Sequence, residues 1–283
     1  MIDNAELRQK LFKVFKGQDF TLIKLSAASD AEIFRIILDD ERSFVAKRSE
    51  GALDQEAEML KMLSDRADLP TPKVLLAEPD LTVMEYITSD WQISETVQQD
   101  AAKHLARLHQ VEGPYYGYDY DTVFTGINQD NTPNDNWTDF FINQRILAAA
   151  NMSMDKDVLM PALMKKIEKL MSKISSIIGT GNPPVLIHGN CWSGNILPHR
   201  GVVRAFLDPA VYYADHEIEL AYATMTKTFD QNFFGIYEKE IEIKPGFFEE
   251  RRDLYTLYPL LLQTILYGKS YNRKVEKLLN RFL

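Results

Sequence analysis

The sequence predicts an α+β chain of two lobes, a small β-rich lobe over residues 1–87 and a larger, mainly helical lobe over residues 88–283. Residues 20 to 87 carry short runs of β-branched and aromatic residues around one helical stripe. After Ile87 the apolar spacing becomes that of helices, and neither an internal repeat nor a low-complexity tract points to a solenoid or a disordered chain.

MIDNAELRQKLFKVFKGQDF lacks the basic start and apolar run of a secretory leader and reads as a short amphipathic helix. FRIILDD and SFVAKRS, separated by Asp39, Asp40 and Glu41, read as a strand hairpin. Leu53, Ala57, Leu60 and Leu63 mark one face of a helix. PTPKVLLAEPDLTVMEYI gives two extended runs around Glu78-Pro79-Asp80, so residues 20 to 87 read β-β-α-β-β. Helices follow in SETVQQDAAKHLARLHQ, WTDFFINQRILAAA and VLMPALMKKIEKLMSKISSIIG, with the polar loop NQDNTPNDN expected as a functional surface. PVLIHGN reads as a buried strand, NILPH and VVRAFLDPA as a hairpin through Arg200-Gly201, and helices resume at Glu217.

Composition excludes several classes. At 283 residues, with 45% apolar and 26% charged residues, the chain can bury a sizeable core. A net charge of -9 and a pI near 5.2 speak against a nucleic-acid backbone as partner. TLYPLLLQTILYG, interrupted by Pro259 and Gln263, is too short to span a bilayer and reads as a buried helix. The single cysteine, Cys191, excludes an internal disulfide framework and a multi-cysteine zinc site. The expectation is a cytoplasmic protein, a monomer or weak dimer, without nucleic-acid or membrane partners.

The chemistry concentrates in VLIHGNCWSGNILP. His188-Gly189-Asn190-Cys191-Trp192-Ser193-Gly194-Asn195 has the outline of the kinase catalytic loop H-R-D-x-x-x-x-N, with Asn190 where the base would stand. Asp208, followed by Pro and Ala, stands where a protein kinase has D-F-G. Asn195 and Asp208 can surround one magnesium, because a hard cation beside phosphate needs short oxygen donors. In FVAK, Lys47 matches the lysine of V-A-I-K, with a snorkelling surface lysine as the bland alternative. Glu56 lies on the apolar stripe and is assigned to Lys47, while Glu58 points to solvent. LTVMEYI would be the hinge, with the backbone of Glu85 and Ile87 at adenine and Met84 beside the pocket. KLSAASDAEIFRI would be the phosphate-covering turn; it has no glycine, and its small residues Ser26, Ala27, Ala28 and Ser29 would let backbone N–H groups approach phosphate.

These residues carry a resemblance to the fructosamine kinases (ketosamine-3-kinases), a branch of the aminoglycoside-phosphotransferase and protein-kinase-like superfamily. The family run H-G-D-L-W-S-G-N, then D-P-A-x-Y-Y-G-x-x-E-x-D-L-A, stands here as HGNCWSGN and DPAVYYADHEIELA. FVAK, TVMEYI, ARLH and YGYDYDTVFTGINQDNTPNDNWTDFF extend the likeness over nearly the whole chain. The resemblance implies a two-lobed protein-kinase-like fold and transfer of the γ-phosphate of ATP, with Mg2+, to the C3 hydroxyl of a ketosamine. The 3-phosphate is unstable, so the implied role is deglycation of protein or small amines.

Trp192 and Trp137 would stack on the sugar, with core packing the plain alternative for each. Asp215 or Glu217 would meet a cationic amine. His188 would brace the loop, and His109 would cap its helix end. Asn190 for Asp, Cys191 for Leu and Ala214 for Gly depart from the pattern. An amide orients a hydroxyl but cannot take its proton, so nucleotide and magnesium binding should survive while turnover falls severely. The alternatives are a non-catalytic nucleotide-binding protein and a kinase of another small hydroxylated metabolite.

Overall fold

A computed structural model describes residues 3–27 and 31–283. The first part is a five-stranded antiparallel sheet with strand order β1-β2-β3-β5-β4, formed by β1 (Phe20–Ala27), β2 (Ala31–Leu38), β3 (Ser43–Ser49), β4 (Val74–Glu78) and β5 (Leu81–Glu85). Alternation of side chains along these strands separates two jobs. One face presents Phe34, Ile36, Leu38, Ala46 and Val83 to the helix α1 (Asn4–Val14), which buries Leu7 and Leu11 against them. Asp3 starts that helix by accepting from the backbone N–H groups of Ala5 and Glu6. The opposite face carries Lys47, paired in register with Ile33 on one side and Thr82 on the other.

The sequence reading misses β1 and so counts two strands where three precede α2 (Leu53–Ala67). β1 is an edge strand with Ile23 and Leu25 exposed and a register shift between Lys24 and Ser26, so its apolar residues do not alternate cleanly. Ser26 lies on β1, and Ala28 and Ser29 fall outside the described residues.

The rest of the chain is mainly helical and shares one large core. α3 (Glu95–Leu108) starts at an N-cap, Ser94, whose hydroxyl accepts from the backbone N–H of Val97. It buries Ala101, Leu105 and Leu108 and packs against the helix Gln231–Tyr237, in a core that also takes in the helices Pro161–Ile178 and Leu257–Tyr267. The segment TLYPLLLQTILYG is thus a buried core helix, and among the described residues no helix is long and apolar enough to cross a membrane. The strand Val185–Ile187 pairs with Tyr212–Ala214, and Ile196–His199 pairs with Val202–Phe206 in the expected hairpin.

The polar loop keeps Asn128, Asp130, Thr132, Pro133, Asp135 and Asn136 exposed but is anchored from beneath. Gln129 and Asn131 within it are buried, and Arg145, itself fully buried, holds it down. The Arg145 guanidinium donates to the Asp130 carbonyl (2.6 Å) and to Asn131 Oδ1 (2.7 Å). It lies 4.0 Å from the centre of the Tyr212 ring and 4.5 Å from that of Phe140. Arg145→Met keeps most of the volume but strands these acceptors, so a loss of stability on the order of 3 kcal/mol is expected. Urea denaturation measures it, and an unchanged midpoint would refute this role.

Candidate active site

The register that turns Lys47 away from α1 aims it across the cleft. Its ammonium lies 2.7 Å from Glu56 Oε2 and 2.7 Å from Asp208 Oδ1. Glu56 is delivered by α2, whose apolar stripe faces the same way, while Glu58 is exposed. Burial would lower the pKa of Lys47, but Glu56 and then Asp208 outweigh it and hold the ammonium charged. Burial and the Asp208 charge push the Glu56 carboxyl up to about 7 against the pull of Lys47. Asp208 moves the other way: burial would raise it, but Lys47 keeps it below the usual carboxylate range. The Asp208 side chain remains 46% exposed.

The loop 188–195 is knitted to the Asp208 segment. Gly189 has φ +79, and a Cβ there would lie 2.0 Å from the Ala210 carbonyl oxygen, so only glycine fits. The Ala210 N–H donates to the His188 carbonyl (2.9 Å), and the Leu207 N–H donates to the Asn195 carbonyl (2.8 Å). Asn195 Nδ2 donates to the Asn190 carbonyl (2.9 Å), and Asn190 Nδ2 donates to the Asp208 carbonyl (3.0 Å). Tyr222 offers its hydroxyl to Asn190 Oδ1 at 3.4 Å, a long contact.

Sequence reasoning missed the residue beneath this loop. Glu219, fully buried, accepts from the backbone N–H groups of His188 (3.0 Å) and Gly189 (2.7 Å) and meets His109 Nε2 at 2.9 Å. His109 ends α3 as its C-cap residue, and its ring also links Glu219 to the Tyr237 hydroxyl. His188 accepts from the Asn190 N–H through Nδ1 (3.3 Å). The signal for Glu219 was an acidic residue inside the otherwise apolar run IELA, which calls for buried donors.

Three other sequence candidates sit elsewhere. Trp137 is only 1% exposed, stacked with Phe140 and Phe141, and its indole N–H donates to the Tyr255 hydroxyl (2.8 Å). It is a core residue with no free face for a sugar, which corrects the stacking expectation. Asp215 is saturated by the Asn182 backbone and side-chain amides, the Glu217 N–H and the Tyr255 hydroxyl. Glu217 is closed by Arg251, whose Nε and Nη2 each reach it at 2.7 Å. Neither carboxylate is left to meet a cationic amine, because both are fully buried and already paired. Trp192, by contrast, is 39% exposed, with its ring over Gly194 at the end of the loop.

At the hinge, Glu85, Tyr86, Ile87 and Thr88 face His199, Val202 and Arg204 across a cleft of about 560 Å³. Met84 is buried in β5 and does not line that cleft. For a cation, the available donors are Asp208 and Asn195 Oδ1, which accepts no hydrogen bond among the described residues. Both are hard oxygen donors. No group of three or more His, Cys, Asp or Glu gathers for a metal among the described residues, so a cation here would share its shell with phosphate oxygens, as magnesium does.

Two measurements test this account. Arg251→Ala leaves Glu217 charged and buried, so a loss of about 3 to 5 kcal/mol in urea denaturation is expected. The buried histidines give a pH dependence. Burial lowers His216 from 6.5 to about 4, and it lowers His188 as well. Their neutral forms stabilise the fold fully above pH 6.5. Below that the unfolded chain takes up protons that the folded chain refuses, so stability falls between pH 6.5 and about 4, by up to about 1.4 kcal/mol per pH unit for each imidazole. Thermal melts should show His216→Phe with a shallower acid slope than the parent chain.

The fructosamine kinase family model matches residues 5–283. A protein of Lactiplantibacillus plantarum named "Probable ketoamine kinase" is 28% identical over 232 residues, 81% of each chain. A second of that name, from Vibrio parahaemolyticus, is 26% identical over 283 residues, 95% of each. Among solved structures, a protein of Thermobifida fusca assigned to the fructosamine-3-kinases superposes with a TM-score of 0.86, covering 95% of this chain and 96% of its own at 22% identity. The ADP-bound aminoglycoside phosphotransferase APH(2'')-Ib follows at 0.67, over 98% of this chain and 97% of its own at 19% identity. The fold is that of the kinase-like phosphotransferases, and the chain belongs to the fructosamine kinase family.

Proposed function

We propose that the chain is an ATP-dependent kinase of the C3 hydroxyl of fructosamines and related ketosamines, small or protein-bound, acting in the cytoplasm in deglycation. The observation that carries the reading is the convergence of Lys47, Glu56 and Asp208, with both 2.7 Å contacts, on the loop holding Asn190 and Asn195.

In this reading residues 1–87 hold the nucleotide and residues 88–283 the acceptor. The cleft at Glu85 and Ile87 takes the purine, Met84 supports it from within β5, and Ser26, Ala28 and Ser29 cover the phosphates. Lys47 exchanges Asp208 for a phosphate oxygen, and Glu56 keeps its ammonium aimed. Asn195 and Asp208 would hold Mg2+, which when bound neutralises charge on the phosphate oxygens. The exposed face of Trp192 stacks on the sugar. Asn190 Oδ1 accepts a hydrogen bond from the acceptor hydroxyl and orients it, but an amide does not remove the proton. Positioning and charge stabilisation supply most of phosphoryl-transfer catalysis, so slow turnover is expected rather than none.

Asn190 also favours a second reading, a nucleotide-binding protein without turnover. A coupled assay on a fructosamine at saturating magnesium separates the two: Asn190→Asp should raise turnover on the order of 10² to 10⁴-fold. Nucleotide binding without turnover in either form would leave only the second reading. Preference for choline or an aminoglycoside over ketosamines would contradict the substrate assignment.

A further inference from the structure

Asn190 is bonded to both residues assigned to the cation. Its backbone carbonyl accepts from Asn195 Nδ2 at 2.9 Å, and its side-chain Nδ2 donates to the Asp208 carbonyl at 3.0 Å. The Leu207 N–H, bonded to the Asn195 carbonyl at 2.8 Å, closes the ring.

Asp208 needs such a tie. Its φ of +50 is left-handed, a conformation that costs an L-residue on the order of 1 kcal/mol and persists where the surroundings enforce it. A peptide carbonyl only accepts, so the nitrogen of the Asn190 amide must face Asp208, which leaves Oδ1 for the Tyr222 hydroxyl. A carboxylate in the same place would set acceptor against acceptor. Asn190 is buried, so water does not readily replace the lost donor.

We propose that Asn190 is a positioning residue for the cation ligands: its amide fixes the Asp208 turn relative to Asn195, and an aspartate at this position would gain a proton acceptor while loosening that turn. The inference rests on the assignment of Asn195 and Asp208 to the cation in the proposed function. It makes the asparagine an exchange of chemistry for order rather than a loss alone.

The test is binding by the full chain, without turnover, using Mn2+ as the probe cation and the non-hydrolysable nucleotide AMP-PNP. Titration of Mn2+ into the nucleotide complex, followed by electron paramagnetic resonance, should show an affinity on the order of 10-fold weaker in both Asn190→Asp and Asn190→Ala. Nucleotide affinity in EDTA should stay the same, which also reports an intact cleft. In the kinetic assay, Asn190→Asp should raise kcat and also raise the magnesium concentration giving half the maximal rate.

Wild-type Mn2+ affinity in either variant overturns the proposal. So does an equal loss of metal-free nucleotide binding, which would mean a collapsed cleft. A parent chain whose nucleotide complex binds no Mn2+ overturns the assignment of Asn195 and Asp208 itself, and with it this inference.

Discussion

The ammonium of Lys47, wedged between Glu56 and Asp208, joins a strand, a helix and the segment after a hairpin that lies 161 residues further along the chain. Such a cluster is poor at stabilising a fold, since removing three charges from water costs roughly what their attraction returns. Its value is in registration. β3 must sit with Ala46 against α1 and Lys47 in the cleft, α2 must turn Glu56 inward, and Asp208 must reach across. Burial, with the Asp208 charge added to it, pushes the Glu56 carboxyl up to about 7 against the pull of Lys47.

The helix Glu217–Met225 shows how one run of acidic residues does three structural jobs. Asp215 closes the segment before the helix onto Asn182, Glu217 neutralises Arg251, and Glu219 gathers the N–H groups of the loop above it. Each is fully or almost fully buried, and each is provided with donors, as buried carboxylates require. The acidic density of ADHEIELA looks like a binding surface in the sequence. In the fold it is a frame, with the loop 188–195 resting on Glu219.

What the sequence made legible follows from where spacing has one physical meaning. Lys47 and Glu56 were readable because strand alternation and the helical stripe of Leu53, Leu60 and Leu63 each fix a direction. The hairpin through Arg200-Gly201 was readable from its turn. β1 was not, because an edge strand with a register shift and exposed Ile23 and Leu25 lacks the alternation that a half-buried strand shows. Trp137, Asp215 and Glu217 were misplaced for another reason: residue type says what a side chain can bind, and only packing says what it already binds. Arg251, the cation that closes Glu217, carried no local signal, since its partner lies 34 residues away in sequence.

The three tryptophans divide the molecule optically. Trp137 is sealed in the core, Trp91 stands 62% exposed after the hinge, and Trp192 lies between these extremes on the loop that carries Asn195. Emission from the first should be blue and insensitive to quenchers and that from the second red and freely quenched, so a change of intermediate character belongs to the third. The chain therefore carries its own fluorescent label on the loop 188–195, and a ligand that covers the exposed Trp192 ring would be reported by the unmodified protein.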